Sequence, residues 1–324
     1  MKKVISVLWA LLLLSAVPAI SATESELFSE AEGYYRAGNY LLALDTYAEF
    51  IESYPLSDRV ADAQYRRGVS LFRLGRFQEA LSTFDQIERR YRSTRFFDYI
   101  YFWRGVAYFR LDDYLQADQS LGVFLRNLED RELTPQAYLY KAQSEIAFQD
   151  YRGAAADLEA LVDSYPESES ARYGLVLLMY AYLQQGRYQE IEELAASPGR
   201  QILPEARGNL FDLYTAEALW NDGRSEEAQP IFDRLRSAED PVATVAYRRL
   251  FVSAAQEGEL ERMEALVRQA ESQFAGSPEL LEDLWVQVGV ESYQQGKLDL
   301  SEYFLNKVWS LPDKDEIAET VPLY

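Results

Sequence analysis

Cysteine and histidine are both absent from the 324 residues. Without thiols there is no disulfide framework, no thiolate nucleophile and no Cys attachment point for a lipid; without imidazoles there is no histidine base and no Cys/His metal centre. Basic residues are scarce beside acidic ones, 32 against 53, for a formal net charge of -21. That balance weighs against general nucleic-acid binding, which needs clustered Lys and Arg to displace counterions from phosphates, and against attachment to an anionic bilayer. The chain also lacks a GxxxxGK[ST] phosphate loop, a calcium loop, zinc-ligand spacing and a Ser nucleophile elbow. No cofactor and no metal is expected, and no enzyme is indicated. Carboxylate pairs such as Asp112-Asp113, Glu192-Glu193 and Glu282-Asp283 read as solvated helix faces. What is present is 48% hydrophobic and 14% aromatic, with a mean hydropathy of -0.29, enough apolar material for a sizeable core.

Long apolar runs are confined to the start. Residues 1–22, MKKVISVLWALLLLSAVPAISA, give two lysines, an apolar run from Val4 to Leu14 and a small-residue tract ending at Ala22. This has the form of a cleaved signal peptide; the alternative is a retained membrane anchor. Cleavage after Ala22 would leave a soluble exported chain of 302 residues with 30 basic and 53 acidic side chains, a net of -23 and no later membrane span. With no Cys, tethering of that chain through a Cys-linked acyl group is closed.

One period runs through the rest. Gly38-Asn39-Tyr40-x-x-Ala43-x-x-x-Tyr47-x-x-Phe50 returns 37 residues later as Gly75-Arg76-Phe77-x-x-Ala80-x-x-x-Phe84-x-x-Ile87. It recurs at Asp112-Asp113-Tyr114, Gln149-Asp150-Tyr151, Gly186-Arg187-Tyr188 and Gly223-Arg224-Ser225, each 37 apart, then more loosely at Gly258-Glu259-Leu260 and Gly296-Lys297-Leu298. An apolar stripe at helical spacing precedes each turn, as in Tyr65, Gly68, Leu71 and Phe72, and another follows it, as in Phe77, Ala80, Leu81, Phe84 and Ile87. Each unit is therefore predicted to be a helical hairpin. Eight such units start near 24, 61, 98, 135, 172, 209, 244 and 282. Pro55, Pro135, Pro166, Pro204, Pro241 and Pro312 fall between them, where proline ends or opens a helix.

The small residue in the first helix, the Gly-x-Tyr turn, the Ala three residues beyond it and the late Pro resemble the tetratricopeptide repeat family. The resemblance covers residues 24 to about 312, with a 37-residue unit in place of the family's 34. It implies an all-α fold, an α-solenoid wound as a right-handed superhelix of about eight hairpins over residues 23–312, with a tail at 313–324. The segment Tyr54-Pro55-x-Ser57-x-x-x-Ala61-x-Ala63-x-Tyr65-x-x-Gly68 is similar to the variant in bacterial envelope proteins of the TolA-binding and BamD-like types. This chain lacks the lipidation Cys of the second and the N-terminal coiled coil of the first.

In such solenoids the first helices line the concave surface, and ligands meet residues repeated in register. Tyr35-Arg36, Phe72-Arg73 and Phe109-Arg110 stand 37 residues apart, joined by Arg66, Phe102 and Arg104 on neighbouring turns. Residues 23–134 carry 14 basic and 19 acidic groups, while residues 135–324 carry 16 and 34. One reading makes these nine residues a groove for a protein or extended peptide bearing acidic or C-terminal carboxylate groups, since guanidinium forks pair with carboxylates and aromatics give apolar anchors. The other packs the aromatics between helices and leaves the arginines in solvent or paired with Asp112, Asp113 and Glu79. Most of Tyr173, Tyr180, Tyr182, Tyr188, Trp220 and Trp285 read as core or inter-repeat packing, and the remainder as candidates for an exposed groove. The function expected is a periplasmic or otherwise exported scaffold in envelope assembly or maintenance. Two alternatives stand beside it: a glycan- or small-molecule-binding or processing protein with a pocket around Tyr180, Tyr182 and Asp150, and a self-associating structural subunit.

Overall fold

The computed structural model describes residues 22–311 apart from 93, 128, 129, 131 and 240. Apart from Ala22, the expected export segment lies outside the described residues, as does the tail 313–324. Among the described residues all regular structure is helical: sixteen α-helices and one 3-10 turn at Pro198–Ile202. This is the all-α class of stacked hairpins that the 37-residue period predicts.

The turns explain the period. A chain reversing between two helices needs one residue in the left-handed region, which glycine enters without a Cβ clash. The φ angle is +77° at Gly38, +75° at Gly75, +69° at Gly186 and +82° at Gly223, and the same register holds Asp112 at +58° and Gln149 at +67°. The two side-chain-bearing residues therefore carry strain. Asp112 has partial relief, because short polar side chains tolerate this region and its carboxylate accepts a hydrogen bond from the Tyr114 hydroxyl at 2.8 Å. Gln149 has neither advantage. Gln149→Gly is expected to stabilise the protein by about 0.5–1 kcal/mol, the relieved left-handed strain exceeding the added chain entropy. Urea denaturation checks it: an unchanged or lower midpoint contradicts the strain.

The described residues form two compact units divided between Phe148 and Gln149. The first holds α1 (Glu24–Arg36), α2 (Tyr40–Ser53), α3 (Val60–Arg73), α4 (Phe77–Arg90), α5 (Tyr99–Arg110), α6 (Tyr114–Asn127) and α7 (Leu133–Ala147). Within this unit successive helices pack on one another, and α1, α3, α5 and α7 also touch in series. Gly68 makes close approach possible, since a Cβ there would lie 2.6 Å from Cε1 of Phe84; Leu121 closes off Gly105 in the same manner. Tyr47, Phe50, Phe84, Ile87, Ile100, Leu121 and Phe124 are fully buried, each worth roughly 1.5–3 kcal/mol of transfer free energy.

The second unit holds α8 (Tyr151–Ser164), α9 (Glu169–Gln185), α10 (Tyr188–Ala196), α11 (Glu205–Asn221), α12 (Ser225–Leu235), α13 (Val242–Glu257), α14 (Leu260–Gln273), α15 (Pro278–Gln294) and α16 (Leu298–Val308). Here α9, α11, α13 and α15 touch in series. Pro204 and Pro241 sit at the N-caps of α11 and α13, where a missing N–H costs nothing. The core of this unit centres on Phe232, Phe251, Trp285 and Phe304.

Candidate partner-binding site

The aromatic ladder of the first unit is mostly structural. Tyr35, Phe72 and Phe109, at the ends of α1, α3 and α5, each pack on the aromatic five residues later that opens the following helix. The ring centroids lie 5.7 Å apart for Tyr35–Tyr40, 5.3 Å for Phe72–Phe77 and 5.6 Å for Phe109–Tyr114. Such a pair contributes about 0.5–1.5 kcal/mol beyond its buried area and pins each turn. Phe72 also meets Trp103 at 5.0 Å, and Phe109 meets Tyr140 at 5.2 Å. Phe102 corrects the sequence reading outright: it is 2% exposed and packs against Trp103 and Phe124, so no partner can reach it.

Two of the arginines are also committed within the unit. Arg66 on α3 pairs with Glu32 of α1 at 3.2 Å and lies 4.7 Å over the Tyr35 ring. Arg104 on α5 pairs with Glu88 at 2.6 Å and Asp85 at 3.4 Å on α4. Burial pulls the pKa of both guanidiniums down, but the neighbouring acidic and phenolic groups outweigh it and hold both above their ordinary value. Glu88 is the mirror case: burial pushes its carboxyl up, while hydrogen bonds from Tyr101 and Arg104 hold it below the usual range. These groups tie helix to helix and are not available to a ligand.

Arg36, Arg73 and Arg110 are different. Each is exposed in the last turn of its helix, where a cation complements the exposed carbonyls. None pairs with a carboxylate among the described residues. Arg73 covers the Trp103 ring at 5.1 Å. Arg36 opens into a cleft of about 370 Å³. Phe28, Ser29 and Glu32 of α1 and Asp62 of α3 line it, together with Arg59 and Arg95 from the linkers before α3 and α5.

Both acids of this cleft are occupied. Glu32 takes Arg66 and accepts from the Tyr47 hydroxyl at 2.6 Å. Asp62 takes Arg95 at 3.0 Å and accepts from the Thr94 hydroxyl at 3.3 Å. Arg59 stands 5.2 Å over the Phe28 ring without a carboxylate, as Arg36 stands without one. Two unneutralised guanidinium forks beside an aromatic face thus border one cleft of an acidic protein. Carboxylates bind such forks bidentately. Sequence reading found Arg36 and missed Arg59, Arg95 and Phe28; the signal was the 36-residue spacing of Arg59 and Arg95, one short of the repeat.

The second unit offers a contrasting cleft, about 480 Å³, lined by Arg248, Arg249, Gln287, Val290, Glu291 and Gln294. Its best-placed cation is already satisfied: Arg249 on α13 forks onto Glu217 of α11 at 2.6 and 2.7 Å and reaches Glu291 of α15 at 3.4 Å. The residues proposed for a sugar pocket have structural duties as well. The Tyr182 hydroxyl donates to Glu159 at 2.7 Å, Tyr180 packs on Tyr151 and Tyr214, and the Asp150 carboxylate caps α8 at Gly153. Among the described residues no group of three or more acidic side chains is placed to hold a metal ion, and no helix is long and apolar enough to cross a membrane.

Comparison with known proteins agrees with the geometry. A tetratricopeptide-repeat profile matches residues 28–94 and 139–197, and a second profile of that description matches residues 210–234. No curated protein sequence matches. Among solved structures, the apo quorum sensor NprR from B. thuringiensis is 14% identical, covering 96% of this chain and 94% of its own at a TM-score of 0.51. The apo form of RapI is 13% identical, covering 93% and 99% at 0.50. A tetratricopeptide repeat protein from Parabacteroides merdae is 18% identical over 82% and 98%, at 0.47. At these identities the likeness to NprR and RapI is one of fold.

Proposed function

We propose that this chain, a tetratricopeptide-repeat protein, is a binding scaffold whose first unit holds an extended acidic segment of a partner protein. The observation that carries this is the pair of unneutralised forks, Arg36 and Arg59, at the cleft beside Phe28, where the neighbouring carboxylates are already engaged. A partner carboxylate can enter without displacing an existing ion pair, and an apolar side chain beside it can lie on the Phe28 face. Arg73 and Arg110 would extend the same strip, each at the end of the next first helix. Tyr35, Phe72 and Phe109 support it from beneath as turn staples.

A fluorescein-labelled ten-residue peptide rich in Glu and Leu tests the reading by anisotropy with the full chain. Saturable binding that weakens several-fold as salt rises from about 0.05 to 0.3 M is expected, because exposed ion pairs are screened within about 10 Å. Absence of saturation, or affinity indifferent to salt, contradicts it.

The scaffold is further proposed to be exported and to act in envelope assembly or maintenance. Support comes from the Lys-apolar-small profile of residues 1–22 and from Thr23, whose hydroxyl opens α1 as part of a capping box with Glu26. Intact mass of the protein from the expressing cells should correspond to a chain beginning at Thr23; a full-length mass contradicts export by cleavage.

A further inference from the structure

The final hairpin departs from a pairing that three earlier turns share. Arg76, Arg187 and Arg224 each stand immediately before a second helix, and each grips the carboxylate three residues on: Glu79 at 2.6 Å, Glu190 at 2.8 Å and Glu227 at 2.7 Å. Lys297 holds that register before α16, but three residues on stands Leu300. The cation has been kept and its carboxylate replaced by a hydrocarbon.

Nothing else takes the carboxylate's place. The Lys297 Nζ is shielded from water and has no hydrogen-bond partner or ion pair among the described residues. The Lys297 residue lines a cavity of about 690 Å³ between α14 and α16, together with Leu260, Met263, Leu298, Leu300 and Tyr303. Asp299 also lines the cavity but is exposed and makes no ion pair with Lys297. At the rim, Leu260 is 65% and Leu298 60% exposed, so the apolar wall continues to the opening. An ammonium shielded from water without a counter-ion is costly, and one carboxylate would settle it. Largely apolar walls with one unpaired cation, at this volume, match the general build of small-ligand sites.

We propose that this cavity binds a small apolar-tailed carboxylate of the fatty-acid class. The Lys297 side chain turns its shielded ammonium into the cavity to meet the carboxylate, and the alkyl chain runs along Met263, Leu300 and Tyr303 towards Leu260 and Leu298. The proposal is independent of the peptide site in the first unit and stands if that reading falls.

Isothermal titration of the full chain with decanoate, and separately with decanol, tests it. Decanoate is expected to bind saturably, and decanol at least about tenfold more weakly, since it lacks the charge. Lys297→Met should lose at least about tenfold in decanoate affinity while leaving decanol unchanged. Leu260→Glu, at the rim, should weaken both. The melting temperature of Lys297→Met should be no lower than that of the unsubstituted chain, because the substitution removes an amine with no partner. Four results overturn the proposal: no saturable decanoate binding, equal affinity for decanoate and decanol, a Lys297→Met chain that binds decanoate unchanged, or one that melts lower and so reveals an existing partner. Displacement of decanoate by the Glu- and Leu-rich peptide also overturns it, assigning the cavity to a peptide.

Discussion

Trp285→Ala is expected to lower the free energy of unfolding by about 3–5 kcal/mol, the range for emptying a fully buried large aromatic site. Trp285 has no exposed surface and lies 5.5 Å from both Phe251 and Phe304, so α13, α15 and α16 meet on its ring. Its neighbours are themselves pinned aromatics, which limits collapse into the cavity. The indole N–H adds a second, opposing feature: Nε1 is buried without an acceptor. Trp285→Phe removes that unsatisfied donor while keeping most of the apolar contact, so its cost should stay below about 1.5 kcal/mol. Urea unfolding of the pair checks both. Similar losses for Ala and Phe would mean that the indole N–H contributes through a partner and that ring packing is not the dominant effect.

Arg249→Met is the second large effect, about 3–5 kcal/mol, because it strands Glu217. The pair is nearly dry, with side-chain exposures of 13% and 11%, and joins α13 to α11, while the remaining guanidinium nitrogen reaches α15 through Glu291. Breaking one end leaves an uncompensated carboxylate inside the unit. Removing both ends does not, so the Glu217→Met, Arg249→Met double substitution should cost far less than Arg249→Met alone and can be neutral or stabilising. A double-mutant cycle by urea denaturation decides it. Additive losses would show that the two groups act independently, contrary to their bidentate geometry.

The fold was legible because its turns impose a local requirement that sequence must meet. Positions 38, 75, 112, 149, 186 and 223 all carry positive φ, and the residues found there made the 37-residue period visible. Side-chain direction was less legible. Phe102 reads as a groove residue on a turn neighbouring the ladder, yet it stands 37 residues after Tyr65, and both are buried. Register marks it as a core position; nearness to the ladder does not. Arg66 and Arg104 were misjudged for a related reason: their carboxylates, Glu32 and Glu88, sit on other helices at separations of 34 and 16 residues, which no local pattern displays. The cleft itself draws Arg59 and Arg95 from linkers outside the helical period. Packing brings these linker residues to Arg36, and sequence spacing alone does not say which arginines remain without a carboxylate.

Charge reversal at that cleft is the most direct test of the scaffold reading. Arg36→Glu with Arg59→Glu should reduce affinity for the Glu- and Leu-rich peptide at least about 100-fold, since each lost charge-assisted hydrogen bond is worth about 1.5–3 kcal/mol and every 1.4 kcal/mol is tenfold. The same double reversal at Arg234 and Arg268, exposed on α12 and α14 of the second unit, changes net charge equally and should leave affinity within about threefold at physiological salt, where separated exposed charges are screened. A selective loss at Arg36 and Arg59 is the expected result. Equal effects from the two pairs, or no effect from either, would contradict a peptide site in the first unit.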